Sequence, residues 1–373
     1  MRLHVAGRGA INSLGANHAA FIDGIFAGRS GVKPLERLAG TDCLTGVCGE
    51  VPVEFRGEVE NDVDLPRRLA STAARAALAD WGGSPDEQML LVVASTKADM
   101  SGIITATGDG LGSPRRLATA LAGEFRWQGP VTAISCACAS GLSALALAGR
   151  ELRAGTVTRA LVVGTDCITP FILRGFSSLL ALSPDRCRPF DRTRRGLSLG
   201  DGAGAIVLST RPAEGRGITL DGWGESNDAN HITGPSRDGR GLALAIERAL
   251  EQADAPPADV DYVHLHGTGT VYNDAMESQA LARVFERTPP ASGSKAQIGH
   301  TLGAAGVLES LVAIAALERG VAPANIGLEA VDEDSPIDLP SQAIDLARAR
   351  TALKSAAGFG GINAALVFRG QGS

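Results

Sequence analysis

Two stretches of the chain follow one plan. CASGLSALALAGRELRAG (138–155) and GAAGVLESLVAIAALERG (303–320) each begin with small residues, continue as a mostly apolar helix and finish in a charged turn before glycine, a common helix stop. The repeat points to a duplicated architecture, with the seam in the polar stretch TRPAEGRGI at 210–218 and the two halves at 1–209 and 217–373. Around these segments lie apolar, β-branched runs bounded by turn residues: LLVVAS (90–95), TRALVVGTD (158–166), GAIVLS (204–209), VDYVHLH (260–266) and NAALVF (363–368). They read as buried strands. Helical patterns over 66–81, 240–253 and 274–286 alternate with them, so the expected class is α/β with sheets covered on both faces.

The chain's 373 residues, 44% of them hydrophobic and 20% charged, are enough to bury a sizeable core without crosslinks. No apolar stretch is long enough to span a membrane and no charged-then-apolar leader opens the chain, so a soluble protein of the cytoplasm is expected, with no membrane partner. A formal charge of −6 argues against nonspecific nucleic-acid binding, which needs many cations against phosphates. The six cysteines (Cys43, Cys48, Cys136, Cys138, Cys167 and Cys187) form no pair of C-x-x-C motifs for a zinc cage, and no metal is expected. Lysine is scarce, at Lys33, Lys97, Lys295 and Lys354 only; in an arginine-using chain it marks places where a compact ammonium fits and a guanidinium does not.

AISCACASGL (133–142) sets two cysteines one residue apart. A strand running into cysteine and then straight into a helix places the thiol where unpaired helix N–H groups favour an anion, which predicts a pKa drawn below the free value of about 8.5. The strand must end and the helix begin around 138–140, so Cys138 fits that turn, whereas Cys136 falls on the strand end as packing. On these residues alone both cysteines also fit as small buried hydrophobes.

Three further stretches bring chemistry to turns. HLHGTGTVYNDAMESQAL (264–281) carries His266 off a strand into glycines and threonines; GSKAQIGHTLGAAGVLES (293–310) delivers His300, with Lys295 before it and Glu309 after; AAGFGGINAALVF (356–368) sets Phe359 among glycines that let backbone approach a ligand. CACASG, HGTGT, KAQIGH and GFGG, in that order over nearly the whole chain, resemble the β-ketoacyl-acyl carrier protein synthases, the elongating condensing enzymes of the thiolase fold. CRPFDRTRRGLSLGDGAGAIVL (187–208) and the opening AGRGAINSLGANHAAFIDGIFAGRSGV add to the likeness.

The resemblance implies two duplicated βαβ-type halves in a five-layer α-β-α-β-α sandwich. It implies a nucleophile, Cys138, in the first half and His266 and His300 in the second. It has Lys295 pair with Glu309 and position the second histidine, His300; Glu277 and Asp274 support the site, though both also read as ordinary acids near a helix N-terminus. Thr268 and Thr270 would bind the phosphopantetheine arm, and Phe359 would gate the acyl pocket; ordinary turn threonines and a packing phenylalanine are the plain alternatives. Arg67, Arg68, Arg115 and Arg116 would dock an acidic acyl carrier protein, or are solvated surface. The implied reaction is decarboxylative condensation of an enzyme-bound acyl group with a malonyl thioester, in fatty acid, polyketide or aryl-polyene synthesis. It needs no cofactor beyond the carrier's phosphopantetheine. The implied assembly is a homodimer, or a heterodimer with a silent chain-length partner.

A silent partner would commonly lack the nucleophile. A coenzyme A-dependent thiolase would carry a second cysteine near the C-terminus, where this chain has none, and a starter-type enzyme would replace one histidine with asparagine. The chain departs from the family at ASTKADM, in the shortened stretch over 96–115, and at Asp201, where glutamate is usual. Neither Lys97 nor Lys354 acquires a role.

Overall fold

The computed structural model describes residues 1–56, 64–98, 112–333, 335–337, 339–346 and 349–370. Most of the shortened 96–115 stretch, residues 99–111, lies outside the described residues. The N-terminal half contributes β1 (Leu3–Asn12), β2 (Met89–Ala94), β3 (Val131–Ile134), β4 (Arg159–Asp166) and β5 (Gly202–Ser209). The C-terminal half contributes β6 (Ile218–Asn227), β7 (Tyr262–His264), β8 (Ala291–Ser292), β9 (Thr351–Gly358) and β10 (Ile362–Gly370).

Within the first half the spatial order is β1-β5-β4-β2-β3, with antiparallel pairing for the first two contacts and parallel for the last two. The second half repeats it as β6-β10-β9-β7-β8, with the same senses. The halves join edge to edge where Leu3 pairs with Leu220 and His4 with Thr219, giving one ten-stranded hydrogen-bonded sheet. The sandwich is therefore continuous at one seam.

Helices complete the layers. α1 (Leu65–Trp81) and α2 (Pro114–Glu124) cover the outside of the first half; α3 (Ser140–Ala154) lies within the molecule; α4 (Pro170–Ser178) follows β4. α5 (Arg240–Gln252) and α6 (Val271–Val284) cover the outside of the second half, α7 (Lys295–Ile298) is a single turn, and α8 (Ala305–Arg319) packs beside α3. Both α3 and α8 touch strands of both halves, which makes them the middle layer of five. Their composition explains the place: every residue of α8 from Ala305 to Leu317 is buried, and a helix apolar all round belongs in an interior. Each ends on a left-handed glycine, Gly155 and Gly320.

The outer packing repeats too. A Cβ on Gly9 would run into the Ala73 carbonyl of α1, and one on Gly224 into the Ala245 carbonyl of α5. Glycine on β1 and on β6 thus lets each outer helix settle onto its strand, with alanines facing it. Among the described residues no helix is long and apolar enough to cross a membrane.

Candidate active site

Cys138 stands at the turn between β3 and α3. Ala137 before it has φ of +48°, a left-handed conformation that costs a side-chain-bearing residue and persists only where the surroundings fix it. Ser140 does the fixing: its hydroxyl accepts from the Cys136 N–H at 2.8 Å and donates to the Ala137 carbonyl at 2.6 Å. Cys138 lines a cavity of about 540 Å³, and Cys136 does not.

Burial pushes the Cys138 thiol up to about 11, against the pull of the Lys295 and Lys97 charges and of the Phe359 backbone N–H directed at it. The expectation of a lowered pKa is corrected here, because the loss of water on burial outweighs the helix N-terminus. Phe359 reaches the sulfur because β9 ends in glycine. A Cβ on Gly358 would lie 3.1 Å from the Cys138 nitrogen and 3.2 Å from that of Ala139, tight enough that the backbone there would have to give by a few tenths of an ångström.

His266 follows β7 in a turn clamped by two buried acids of α6. Glu277 accepts from the N–H groups of His266 (2.7 Å) and Gly267 (2.8 Å) and from the Ser355 hydroxyl (2.8 Å). Asp274 accepts from the N–H groups of Thr268 (3.0 Å), Gly269 (3.1 Å) and Phe190 (2.8 Å). Burial raises the pKa of both carboxyls and the donated N–H bonds oppose it. Their work is holding the turn's shape.

Lys295 is fully buried, donates to Glu309 at 2.5 Å and to the His266 carbonyl, and stands 3.3 Å from His266 Nδ1. It therefore serves the first histidine, which corrects the expectation that it positions His300. The reason lies in the backbone: α7 turns Lys295 back toward β7, while His300 is pinned from the other half. The His300 N–H donates to Ser198 at 2.6 Å, its carbonyl accepts from Gly200 at 3.0 Å, and its Nδ1 accepts from the Leu302 N–H at 3.3 Å.

Ammonium and amide groups only donate, so Nδ1 is the acceptor in both imidazoles and both carry hydrogen on Nε2. Their ring centroids are 5.4 Å apart with planes at 86°. Burial and the nearby lysines hold both pKa values well below the usual histidine range. His300 Nε2 is buried with no partner among the described residues. Two neutral N–H donors and one thiol thus share one cavity.

Thr268 and Thr270 line the same cavity, their hydroxyls 2.9 Å apart. Phe359 lines it and stacks on Phe176 of α4 at 5.8 Å and 27°. Leu179 and Leu197 extend the apolar wall. The four arginines lie elsewhere: Arg67 and Arg68 on α1, Arg115 and Arg116 exposed at the start of α2. Arg67 is ion-paired with Asp64 and, at 3.0 Å, with Glu124, so much of its charge is already matched. Asp201 is buried and accepts from Arg37 (3.0 Å) and from the N–H of Ile168 (2.7 Å), a structural lock that aspartate fully satisfies.

Sequence reasoning missed three groups. Asp166, at the end of β4, accepts from Thr96 N–H (2.9 Å) and Gly303 N–H (2.7 Å) and so ties the end of β2 to the segment after His300. Lys97 sits in that same tied turn and its charge is felt at Cys138 and His300. Lys354 is buried against Glu309. The scarcity of lysine was the one available signal for the last two.

Residues 2–213 match the family model for the β-ketoacyl synthase N-terminal domain and residues 218–329 that for the β-ketoacyl synthase C-terminal domain. The chain belongs to the β-ketoacyl synthase family. Nodulation protein E of Rhizobium sp. (strain N33) is 31% identical over 404 residues, 99% of each chain. Among solved structures, the ishigamide ketosynthase/chain length factor superposes with a TM-score of 0.88 at 29% identity, covering 100% of this chain and 99% of that one. A type II polyketide synthase acyl-carrier protein in complex with its ketosynthase bound to the hexaketide gives 0.87 at 27% identity, covering 99% of each chain.

Proposed function

We propose that this synthase joins an acyl group held on Cys138 to a malonyl unit delivered by an acyl carrier protein, releasing carbon dioxide and leaving a β-ketoacyl thioester on the carrier. The observation that carries the reading is the sharing of one cavity by a thiol and two neutral imidazoles that both donate from Nε2.

In the first step the Cys138 sulfur attacks the acyl thioester, the carrier's sulfur leaves, and the thiol proton goes with it. With Nε2 of both histidines already protonated, neither serves as the base; the Phe359 N–H and the Lys295 and Lys97 charges favour the sulfur anion as it forms. In the second step the malonyl thioester oxygen lies between the two Nε2–H donors. The carbon–carboxylate bond breaks, its electron pair forms the enolate, and the donors hold the new negative charge without rearranging. The enolate carbon attacks the acyl carbonyl, whose oxygen is met by the N–H groups of Cys138 and Phe359. Collapse frees the Cys138 thiolate, which takes up one proton. The carbanion arises from decarboxylation, and we assign no resident cofactor or metal.

Thr268 and Thr270 suit the amides of the phosphopantetheine arm, and Arg67, Arg68, Arg115 and Arg116 suit an acidic carrier. Two related structures pair a ketosynthase with a chain length factor or a carrier protein. A chain with the catalytic trio assembled would act as the catalytic member of such a pair or as a homodimer; the silent-partner and thiolase alternatives lose their ground. A cytoplasmic setting suits six cysteines that form no disulfide. The test is reconstitution: acyl-carrier and malonyl-carrier mixed with the purified chain, with candidate chain-length partners added in parallel. The expected result is a β-ketoacyl-carrier heavier by one two-carbon unit; hydrolysis of the thioesters without carbon–carbon bond formation would refute the proposal.

A further inference from the structure

Lys354, on β9, is fully buried. Its Nζ lies 2.9 Å from Glu309 Oε2 and donates to the Leu265 carbonyl at 3.2 Å and to that of Ser355. Glu309 is thereby shared: Lys295 holds Oε1 at 2.5 Å and Lys354 holds the other oxygen. Leu265 immediately precedes His266, so Lys354 grips the backbone of the catalytic turn from beneath and anchors the carboxylate that fixes Lys295 against His266.

We propose that Lys354 is a positioning residue for the carbon dioxide-releasing step, acting on His266 through Glu309, Lys295 and the Leu265 carbonyl. The inference rests on the condensing function proposed above. A buried ammonium is costly, and a whole buried ion-pair cluster is often replaceable by apolar side chains without loss of stability, so packing alone gives little reason for a lysine inside a strand. Charge gives one. Facing His266 are Lys295 from α7, Glu309 from α8, Glu277 from α6, Lys354 from β9 and, across the cavity, His300 and Cys138; His264 lies on its own strand, bonded to Tyr262 and Ser294. Glu277 is spoken for by two amides and a hydroxyl. Glu277 nonetheless faces Lys354 with its charge, and what opposes protonation of both imidazoles is burial first and then the nearness of the Lys295 and Lys354 ammoniums. A doubly protonated imidazole could no longer accept from Lys295 at Nδ1.

Removing the Lys354 charge raises the histidine pKa values, so imidazolium appears at higher pH and the acid limb of decarboxylation moves up. Lys354→Met removes charge and hydrogen bonds; Lys354→Gln keeps a donor for Glu309 and Leu265 without the charge. For each, malonyl-carrier decarboxylation is measured against pH beside acyl transfer to Cys138, melting temperature and 15N spectra of labelled histidine. Expected in Lys354→Met are a loss of roughly 10-fold in decarboxylation near neutral pH, an acid limb raised by about one unit, acyl transfer within about threefold of wild type and a lower melting temperature, since one partner of a buried ion-pair cluster is gone. Lys354→Gln should recover much of the neutral-pH rate and keep the raised acid limb. The histidine spectra report the shift without activity, and serve if either variant turns over poorly. An unmoved acid limb and unmoved histidine titration in both variants overturn the proposal, as does parallel loss of both half-reactions. A wild-type chain that releases no carbon dioxide while its histidines titrate as described would instead sink the function, not the role of Lys354.

Discussion

In the N-terminal half, the turns after β2 and β3 and the end of β4 present Lys97, Cys138 and Asp166; in the C-terminal half, the matching strands β7, β8 and β9 are followed by His266, Lys295 and Phe359. Strand order and pairing sense are the same, as is the glycine-on-helix packing. In the proposed reaction the first half supplies the nucleophile, on a strained turn beside an apolar wall. The second supplies donors kept neutral by burial first and by the lysines beside them. Duplication supplied two equivalent sets of strand ends that meet at one cavity, and in the proposed reaction the two sets would take different parts: capture of the acyl group by one, stabilisation of the enolate by the other.

If the division holds, the largest effect belongs to the sulfur. Cys138→Ala should lower acyl transfer by about 10³-fold or more, whereas Cys136→Ala, on a residue outside the cavity, should stay within a few-fold; acyl capture measured by mass spectrometry on each variant separates them, and the reverse pattern would move the nucleophile out of the crevice described here. A smaller effect sharpens the contrast in protonation. Because burial raises the thiol to about 11, the thiolate fraction, and with it iodoacetamide alkylation of Cys138, should climb about tenfold per pH unit between pH 8 and 10. Lys97→Met removes a charge that favours the anion, so it should slow alkylation a few-fold at fixed pH. A plateau already present at pH 8 would show that electrostatics, and not burial, governs the charge state of the sulfur.

Much of this site was legible in the chain. The turns bearing Cys138, His266, His300 and Phe359 each announce themselves by glycines or small residues, the first two at strand-to-helix junctions, His300 between α7 and α8 and Phe359 between β9 and β10, and the two apolar helices revealed the duplication. The direction of the Cys138 shift was not legible, since the helix N-terminus is visible in sequence and the degree of burial is not. Nor was the histidine served by Lys295: both lie within reach along the chain, and only the return of α7 toward β7 decides. Lys354 sits in TALKSAAG, where a lone lysine reads as a strand residue facing solvent; its burial follows from β9 running between β7 and β10 in the sheet interior. The seam between the halves rests on two residue pairs of β1 and β6, too short to leave a pattern.

The division of labour is tested most directly by following both half-reactions in His266→Ala and His300→Ala on one preparation, with the acyl group on Cys138 weighed by mass spectrometry and carbon dioxide release counted from malonyl-carrier. The expected result is near-normal loading of Cys138 and decarboxylation reduced about 10²- to 10³-fold in each variant. Loading lost in step with decarboxylation would make an imidazole the base for the thiol and contradict two neutral Nε2 donors facing an independently activated sulfur.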